Sequence, residues 1–316
     1  MIQDIAILIG GLAVLVAGGE FLFRGAVGIA KSFRISPLVI GMTVVSFLTS
    51  APELLVSLKS ALNDSPGIAI GNVVGSNIAN IALVLGLTVI IFPIIPGRQT
   101  KRIDWPMLIL ATILFVLFSF DGVIQLWEGA VLFLILIVFT SLLIVKSRKE
   151  VRTNKEPSVI ENVQQPVWKS VLFLLLGLAG LYFGCEWLID GAVNLAFELG
   201  MGEHVIALTI VAFGTSAPEL VTSAVAAYRK QPDIALGNLV GSNIFNIMAV
   251  IGITGMVTPI EVDQDILNFD FWWMVGIAIG LGVMLFLGKK VGRGKGIVLL
   301  LTYVAYISIL VIKASQ

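Results

Sequence analysis

A block of residues occurs twice in this chain, and its spacing constrains the fold more than any other feature. Thr49-Ser50-Ala51-Pro52-Glu53-Leu54 returns unchanged 166 residues later as Thr215-Ser216-Ala217-Pro218-Glu219-Leu220. At the same offset Gly71-Asn72-x-Val74-Gly75-Ser76-Asn77-Ile78-x-Asn80 returns as Gly237-Asn238-x-Val240-Gly241-Ser242-Asn243-Ile244-x-Asn246. Glu20 pairs with Glu186, Gly25-Ala26-Val27 with Gly191-Ala192-Val193, and Pro93 with Pro259. A constant period of this kind marks a duplicated structural unit.

The units are embedded in lipid. Of the 316 residues, 58% are hydrophobic and 13% charged, against roughly 45–50% and 25% in soluble domains. The apolar surplus falls in runs near 5–23, 37–60, 68–93, 105–120, 126–146, 168–189, 204–227, 234–258, 270–287 and 296–312. A helix of about 20 apolar residues crosses a bilayer, so the chain is read as an all-α membrane protein of ten transmembrane helices. The polar stretch 147–167 separates a first five-helix half, 1–146, from a second, 168–316. It is too short for a folded domain and reads as a linker. Because five is odd, the second half enters the membrane inverted. The flanking charges agree: Arg24 maps onto Asp190, and Asp64 onto Lys230.

Cytoplasmic loops carry the excess of lysine and arginine. With both termini on the extracellular or periplasmic side, eighteen of the twenty basic residues fall on the cytoplasmic side, and only Lys59 and Lys313 do not. The linker is then cytoplasmic. No basic region precedes the first apolar run, so that run is read as a retained span rather than a cleaved signal. Zero net charge leaves no nucleic-acid footprint. Cys185 has no second cysteine to pair with and reads as a small core residue; His204, the one histidine, reads as a capping or surface residue. No nucleophile–base pair or metal triad suggests an enzyme, and nothing calls for a cofactor or an obligatory protein partner.

Glu53 and Glu219 lie well inside the second and seventh spans, where a lone carboxylate costs at least a few kcal/mol. Glu20 and Glu186 lie nearer the interfaces and suit a role in joining helices. Ser46, Thr49, Ser50 and Glu53 fall at i, i+3, i+4 and i+7, one face of a helix, and Ser57 extends the stripe. Thr215, Ser216, Glu219 and Ser223 repeat it, with Ala212 in the place of Ser46. Pro52 and Pro218 each remove a backbone donor and clash with the carbonyl four residues earlier. They free carbonyls near Leu48 and Thr49, and near Gly214 and Thr215, and so break the second and seventh spans. Broken backbone inside a membrane is tolerated where it is buried or lines a cavity. Ser76 and Asn80, and equally Ser242 and Asn246, share a helix face and supply the opposite wall. Glycines 71, 75, 237 and 241 allow close helix approach; Asn77 and Asn243 serve either the site or helix-to-helix hydrogen bonds. All of these donors are oxygens, the ligands of hard cations such as calcium, and the lack of a histidine or cysteine cluster argues against zinc or copper.

At these motifs the sequence resembles the calcium/cation antiporter superfamily, and most closely the sodium/calcium exchangers of prokaryotes. The resemblance covers nearly the whole chain. It implies that Ca2+ is held by Glu53, Glu219 and the carbonyls of Thr49 and Thr215. Sodium ions would use Thr49, Ser50, Ser76, Thr215, Ser216, Ser242, the Ala212 carbonyl and both glutamates, with Asn80 and Asn246 lining the middle. In the family's mechanism the first and sixth spans slide across the remaining bundle. Two departures stand out: Leu48 replaces the usual glycine before threonine, kept here as Gly214, and Asn246 stands where potassium-dependent relatives carry aspartate. Sodium and calcium are thus the expected substrates, with the bilayer as surroundings. A cation/proton antiporter is the alternative, since protons can replace sodium on two mutually repelling carboxylates; a cation channel using the same oxygens is the remoter one.

Overall fold

The computed structural model describes residues 2–63, 65–153, 166–198 and 212–314. His204, the start of the expected seventh span and most of the expected linker lie outside the described residues. Helices make up nearly all of the rest. Eight of them, among the described residues, are long and apolar enough to cross a membrane: Gln3–Phe33, Pro66–Ile91, Thr100–Ser119, Leu126–Val151, Val167–Glu198, Pro232–Val257, Ile266–Phe286 and Arg293–Lys313. The pair Pro37–Thr49 and Ala51–Leu62, bent by 42°, meets the same test when taken together and is a ninth candidate, a broken one. The short helix Ala212–Thr215 and the helix Ala217–Tyr228 repeat that break at the described end of the seventh. The chain is a multi-pass membrane protein.

Several helices overrun their apolar runs. The first extends to Phe33, although Glu20, Arg24 and Lys31 interrupt its hydrophobic pattern. Glu20 and Arg24 are one turn apart and pair, with Arg24 Nε donating to Glu20 Oε1 at 2.7 Å; Arg229 Nε, from the end of the seventh span, donates to Glu20 Oε2 at 3.1 Å. Charges satisfied in this way do not end a helix. The fifth span likewise continues to Thr153, beyond the last apolar residue.

The first and sixth spans pack antiparallel along two rows of glycines seven residues apart: Gly11, Gly18 and Gly25 against Gly177, Gly184 and Gly191. A methyl group added at Gly11, Gly18 or Gly25 would lie 2.5, 2.6 or 2.7 Å from the backbone nitrogen of Leu188, Leu181 or Leu174. The exchange is reciprocal: at Gly177, Gly184 and Gly191 the same atom would meet the nitrogens of Leu22, Leu15 and Leu8 at 2.5, 2.5 and 2.7 Å. Close approach of backbones substitutes for the hydrophobic drive that lipid withholds.

The bundle centre is formed by the third and eighth spans. The apolar window of Pro232–Val257 is 100% buried and that of Pro66–Ile91 72%, whereas the sixth span's is only 17% buried. Two small β contacts tie the halves together. Val123–Ile124, between spans four and five, pairs antiparallel with Ile260–Glu261, which follows span eight. Ile94, which follows span three, forms a bridge with Val291, between spans nine and ten. Ile94 and Ile260 are related by the repeat offset, so each half lends a segment to the other. Ile94, Ile124, Ile260 and Val291 are all buried. Paired backbone groups are the condition for extended chain at such a place. The sequence pattern, dominated by helical runs, carries no signal for contacts only one or two residues long.

The glycine rows yield a test. Gly184→Val should lower thermal stability in detergent by about 1–3 kcal/mol, the usual penalty for overpacking, whereas Gly10→Ala, where nothing lies within 4 Å of the added methyl, should leave the melting temperature essentially unchanged. Equal melting temperatures for the two variants would contradict the packing described.

Candidate cation site

Both halves break their helix in the same way. Ser50 has φ −87° and ψ 3°, and Ser216 has φ −90° and ψ 2°. A new helix starts at Ala51 or Ala217, with proline in its first turn, where a missing N–H is no loss. Glu53 and Glu219 therefore stand in the first turn of their second half-helices. Unsatisfied N–H groups and the helix dipole favour negative charge at such an end.

Glu53 is 1% exposed and Glu219 0%, and the charge of Glu53 is felt at Glu219. None of their four carboxylate oxygens has a hydrogen-bond partner. The same holds for the hydroxyls of Ser50 and Ser216 and for both amide atoms of Asn80 and Asn246. These ten atoms are the majority of the seventeen buried, unpartnered side-chain atoms among the described residues, and they fall in pairs at the repeat offset. Buried polar groups are ordinarily bonded, and exceptions need an explanation. Here the donor set itself supplies one: two carboxylates, hydroxyls and amide oxygens are the ligands a hard cation takes from its water. Among the described residues no group of three His, Cys, Asp or Glu side chains could hold a metal, so any cation here relies on neutral oxygens beyond the two acids.

The surrounding polar groups hold the arms of the site in place. Asn72 Nδ2 donates to Ser57 Oγ at 3.0 Å, and its repeat mate Asn238 Nδ2 to Ser223 Oγ at 3.0 Å. Asn72 Nδ2 also reaches the Glu53 carbonyl at 3.3 Å. Ser57 and Ser223, which extend the oxygen stripe in sequence, are thus committed to pinning the third and eighth spans against the second and seventh. Asn72 and Asn238 went without a role in the sequence; their constant offset from the two serines was the available signal. Asn77 and Asn243 turn back on their own helices, donating to the carbonyls of Val73 at 2.8 Å and Leu239 at 2.7 Å.

The two sides of the site differ. On one, Thr49 Oγ1 donates to Asn238 Oδ1 at 3.2 Å and lies 3.3 Å from Ser242 Oγ. Ser46 Oγ is placed to donate to the carbonyls of Gly41 at 2.8 Å and Asn238 at 3.0 Å, so this hydroxyl is engaged between helices. On the other side the counterparts of Thr49, Asn238 and Ser242 border a cavity. This cavity, of ≈ 270 Å³, is lined by Asn72, Ser76 and Thr215 together with Asp270, Tyr303 and Tyr306. Ala212 lies in the helical turn that carries Thr215.

The departure at Leu48 is accommodated locally. Leu48 is half-buried against the apolar cluster that includes residues of the first and sixth spans. Its mate Gly214 lies against the Ile189 side chain, where any side chain would collide. The Gly214 carbonyl, which Pro218 leaves without its helical donor, accepts from Cys185 Sγ at 2.9 Å. Cys185 is therefore a hydrogen-bonding core residue at the helix break.

Comparison with known proteins gives the family. The family model described as sodium/calcium exchanger protein matches residues 4–145 and 169–312. A protein of Alkalimonas amylolytica provisionally named antiporter CaxA is 37% identical over 97% of this chain and 98% of its own length. The sodium/calcium exchanger MaX1 of Methanosarcina acetivorans is 30% identical, over 96% of this chain and 97% of its own. The solved structure of the sodium-calcium exchanger NCX_Mj, soaked without Na+ and Ca2+, superposes with a TM-score of 0.84 at 32% identity, covering 97% of this chain and 98% of that one. By family match, sequence and fold together, the chain belongs to the sodium/calcium exchanger family.

Proposed function

We propose that this protein is a secondary antiporter that exchanges Na+ for Ca2+ at a single mid-membrane site containing Glu53 and Glu219. The observation that carries the reading is the pair of buried carboxylates without partners, set at two equivalent helix breaks. A Ca2+ ion would neutralise both acids and draw on the carbonyls of Thr49 and Thr215. Sodium ions would use overlapping sets: Thr49, Ser50 and Ser242 on one side, Thr215, Ser216, Ser76 and the Ala212 carbonyl on the other. Asn80 and Asn246 would line the middle. Ser46, whose hydroxyl lies between two backbone carbonyls, contributes by closing one side rather than by binding an ion.

Ten spans in two inverted halves, 1–146 and 168–316, with both termini outside and the linker 147–167 in the cytoplasm, complete the proposed arrangement. In that orientation the cavity opens outward, and the contacts of Ser46 and Thr49 with the eighth span close the cytoplasmic side. Inverted halves around a midplane site are the architecture of alternating access. The opposite state would close the cavity and part the contacts on the cytoplasmic side.

Proteoliposomes supply the test. Calcium uptake should follow an imposed sodium gradient at fixed pH. A proton gradient that replaces sodium would instead favour the cation/proton reading, and flux without any counter-ion the channel. Glu53→Gln should reduce exchange by at least about 100-fold, since breaking a buried charge pairing costs about 3–5 kcal/mol; retained transport in a folded variant contradicts the site. Two ionised glutamates with one calcium sum to zero, and with three sodium ions to plus one. Exchange at that stoichiometry carries current and responds to membrane potential by ~2.3 kcal/mol per charge per 100 mV. A flux insensitive to voltage excludes it.

A further inference from the structure

A second pair of acids obeys the repeat offset. Asp104 and Asp270 are 166 residues apart. Each ends a π-helical turn, Thr100–Asp104 or Ile266–Asp270, at the start of the fourth or ninth span. Turns of this kind are uncommon and are frequent at functional sites. Neither acid belongs to the central cluster, yet each occupies the same place in its half.

Their surroundings differ in the same sense as the two sides of the site. Asp270 lines the ≈ 270 Å³ cavity that also reaches Ser76 and Thr215. Its Oδ1 accepts from the Tyr306 hydroxyl at 2.8 Å. The charged neighbours it senses are Lys313 and Asp265, and the Lys313 ammonium is parked over the Phe269 ring, 4.2 Å from its centroid. Asp104 is 1% exposed; Gln99 Nε2 reaches its Oδ1 at only 3.4 Å, and its Oδ2 is buried with no partner. The basic residue it senses is Lys146, which lies 3.9 Å from Glu150. On this face the counterparts of the cavity-lining residues, Thr49, Asn238 and Ser242, are in mutual contact.

We propose that Asp270 and Asp104 are entry-site carboxylates, one for each face of the membrane, which take a partly hydrated Na+ or Ca2+ from solution and pass it to the central oxygens. Asp270 serves the face open in this structure; Asp104 serves the opposite face and is sealed until that face opens. This rests on the antiport reading above. A carboxylate hydrogen-bonded by one tyrosine keeps acceptor capacity for a cation, and the cavity gives that cation a route to Ser76 and Thr215. The unpartnered Oδ2 of Asp104 is the corresponding acceptor in its closed setting.

The test is side-specific. In vesicles of defined orientation, Asp270→Asn should raise the half-saturating Na+ and Ca2+ concentrations on the cavity face by about 3- to 10-fold, the scale of one lost charge near solvent. It should raise them more than it lowers the maximal rate. Asp104→Asn should do the same on the opposite face, and Asp104→Glu should recover most of the loss. Terbium luminescence gives a readout independent of transport and of the central acids. Trp273 lies 5.6 Å from Tyr306, ring centroid to ring centroid, so Tb3+ at Asp270 should be sensitised in the Glu53→Gln, Glu219→Gln double variant. Adding Asp270→Asn should abolish that signal. Intact wild-type exchange with equal effects on both faces, unchanged half-saturation, or persisting luminescence overturns the entry-site assignment alone. Wild-type vesicles without sodium-driven calcium uptake overturn the antiport reading and this assignment with it.

Discussion

Two carboxylates facing each other's charge in a buried, apolar bundle dominate the energetics of this molecule. Charges removed from water are expensive unless paired and hydrogen-bonded; among the described residues no basic side chain pairs with Glu53 or Glu219, and their oxygens lack a partner at full hydrogen-bonding geometry, the nearest donors being backbone N–H groups and, for Glu219, the Thr49 hydroxyl. What offsets the cost within the protein is partial: each acid stands in the first turn of a half-helix, where backbone N–H groups favour negative charge. The rest falls to whatever neutralises them, a proton or, in the proposed function, a metal cation.

Everything packed around the acids keeps this arrangement repeated but not rigidly symmetric. The Asn72–Ser57 and Asn238–Ser223 hydrogen bonds have the same length, 3.0 Å, in both halves, so the four central spans are braced alike. The β contacts, with Ile94 on Val291 and Ile124 on Ile260, cross between the halves and bind the outer spans to the core. By contrast, the first and sixth spans are joined chiefly to each other, backbone against backbone, and the sixth presents mostly exposed apolar surface. Their polar links to the core include the cluster of Glu20 with Arg24 and Arg229 and the bond from Cys185 to the Gly214 carbonyl. The charged cluster is partly exposed, and exposed ion pairs contribute little, typically under about 1 kcal/mol.

The break in symmetry is local. At Ser46 and Thr49 the helix break presses on the eighth span; at Thr215 the equivalent break faces a cavity. Ser46, present in the first half only, adds a hydrogen-bonding link where the second half has Ala212. Leu48 and Gly214 add to the difference, since Gly214 lets the sixth span come into contact with the broken helix. Small sequence differences at equivalent positions thus bias two nearly identical half-sites toward different openings.

Much of this was legible without coordinates. Hydropathy revealed the membrane spans, the 166-residue offset revealed the duplication, and the placement of proline, serine and glutamate revealed the acids and the helix breaks, because each is a local pattern read from neighbouring positions. The same local reading ended the first apolar run before Arg24, whose charge is met by Glu20 one turn earlier, an acid that also accepts from Arg229, 209 positions away. It read Ser57 and Ser223 only as extensions of the oxygen stripe, with no sign that Asn72 and Asn238 bond to them across the bundle. The β contacts between halves, the glycine rows that join the first and sixth spans, and the cavity on one side alone were decided by tertiary structure. Each depends on which surfaces meet across the bundle, and an offset within the chain cannot state a distance between helices.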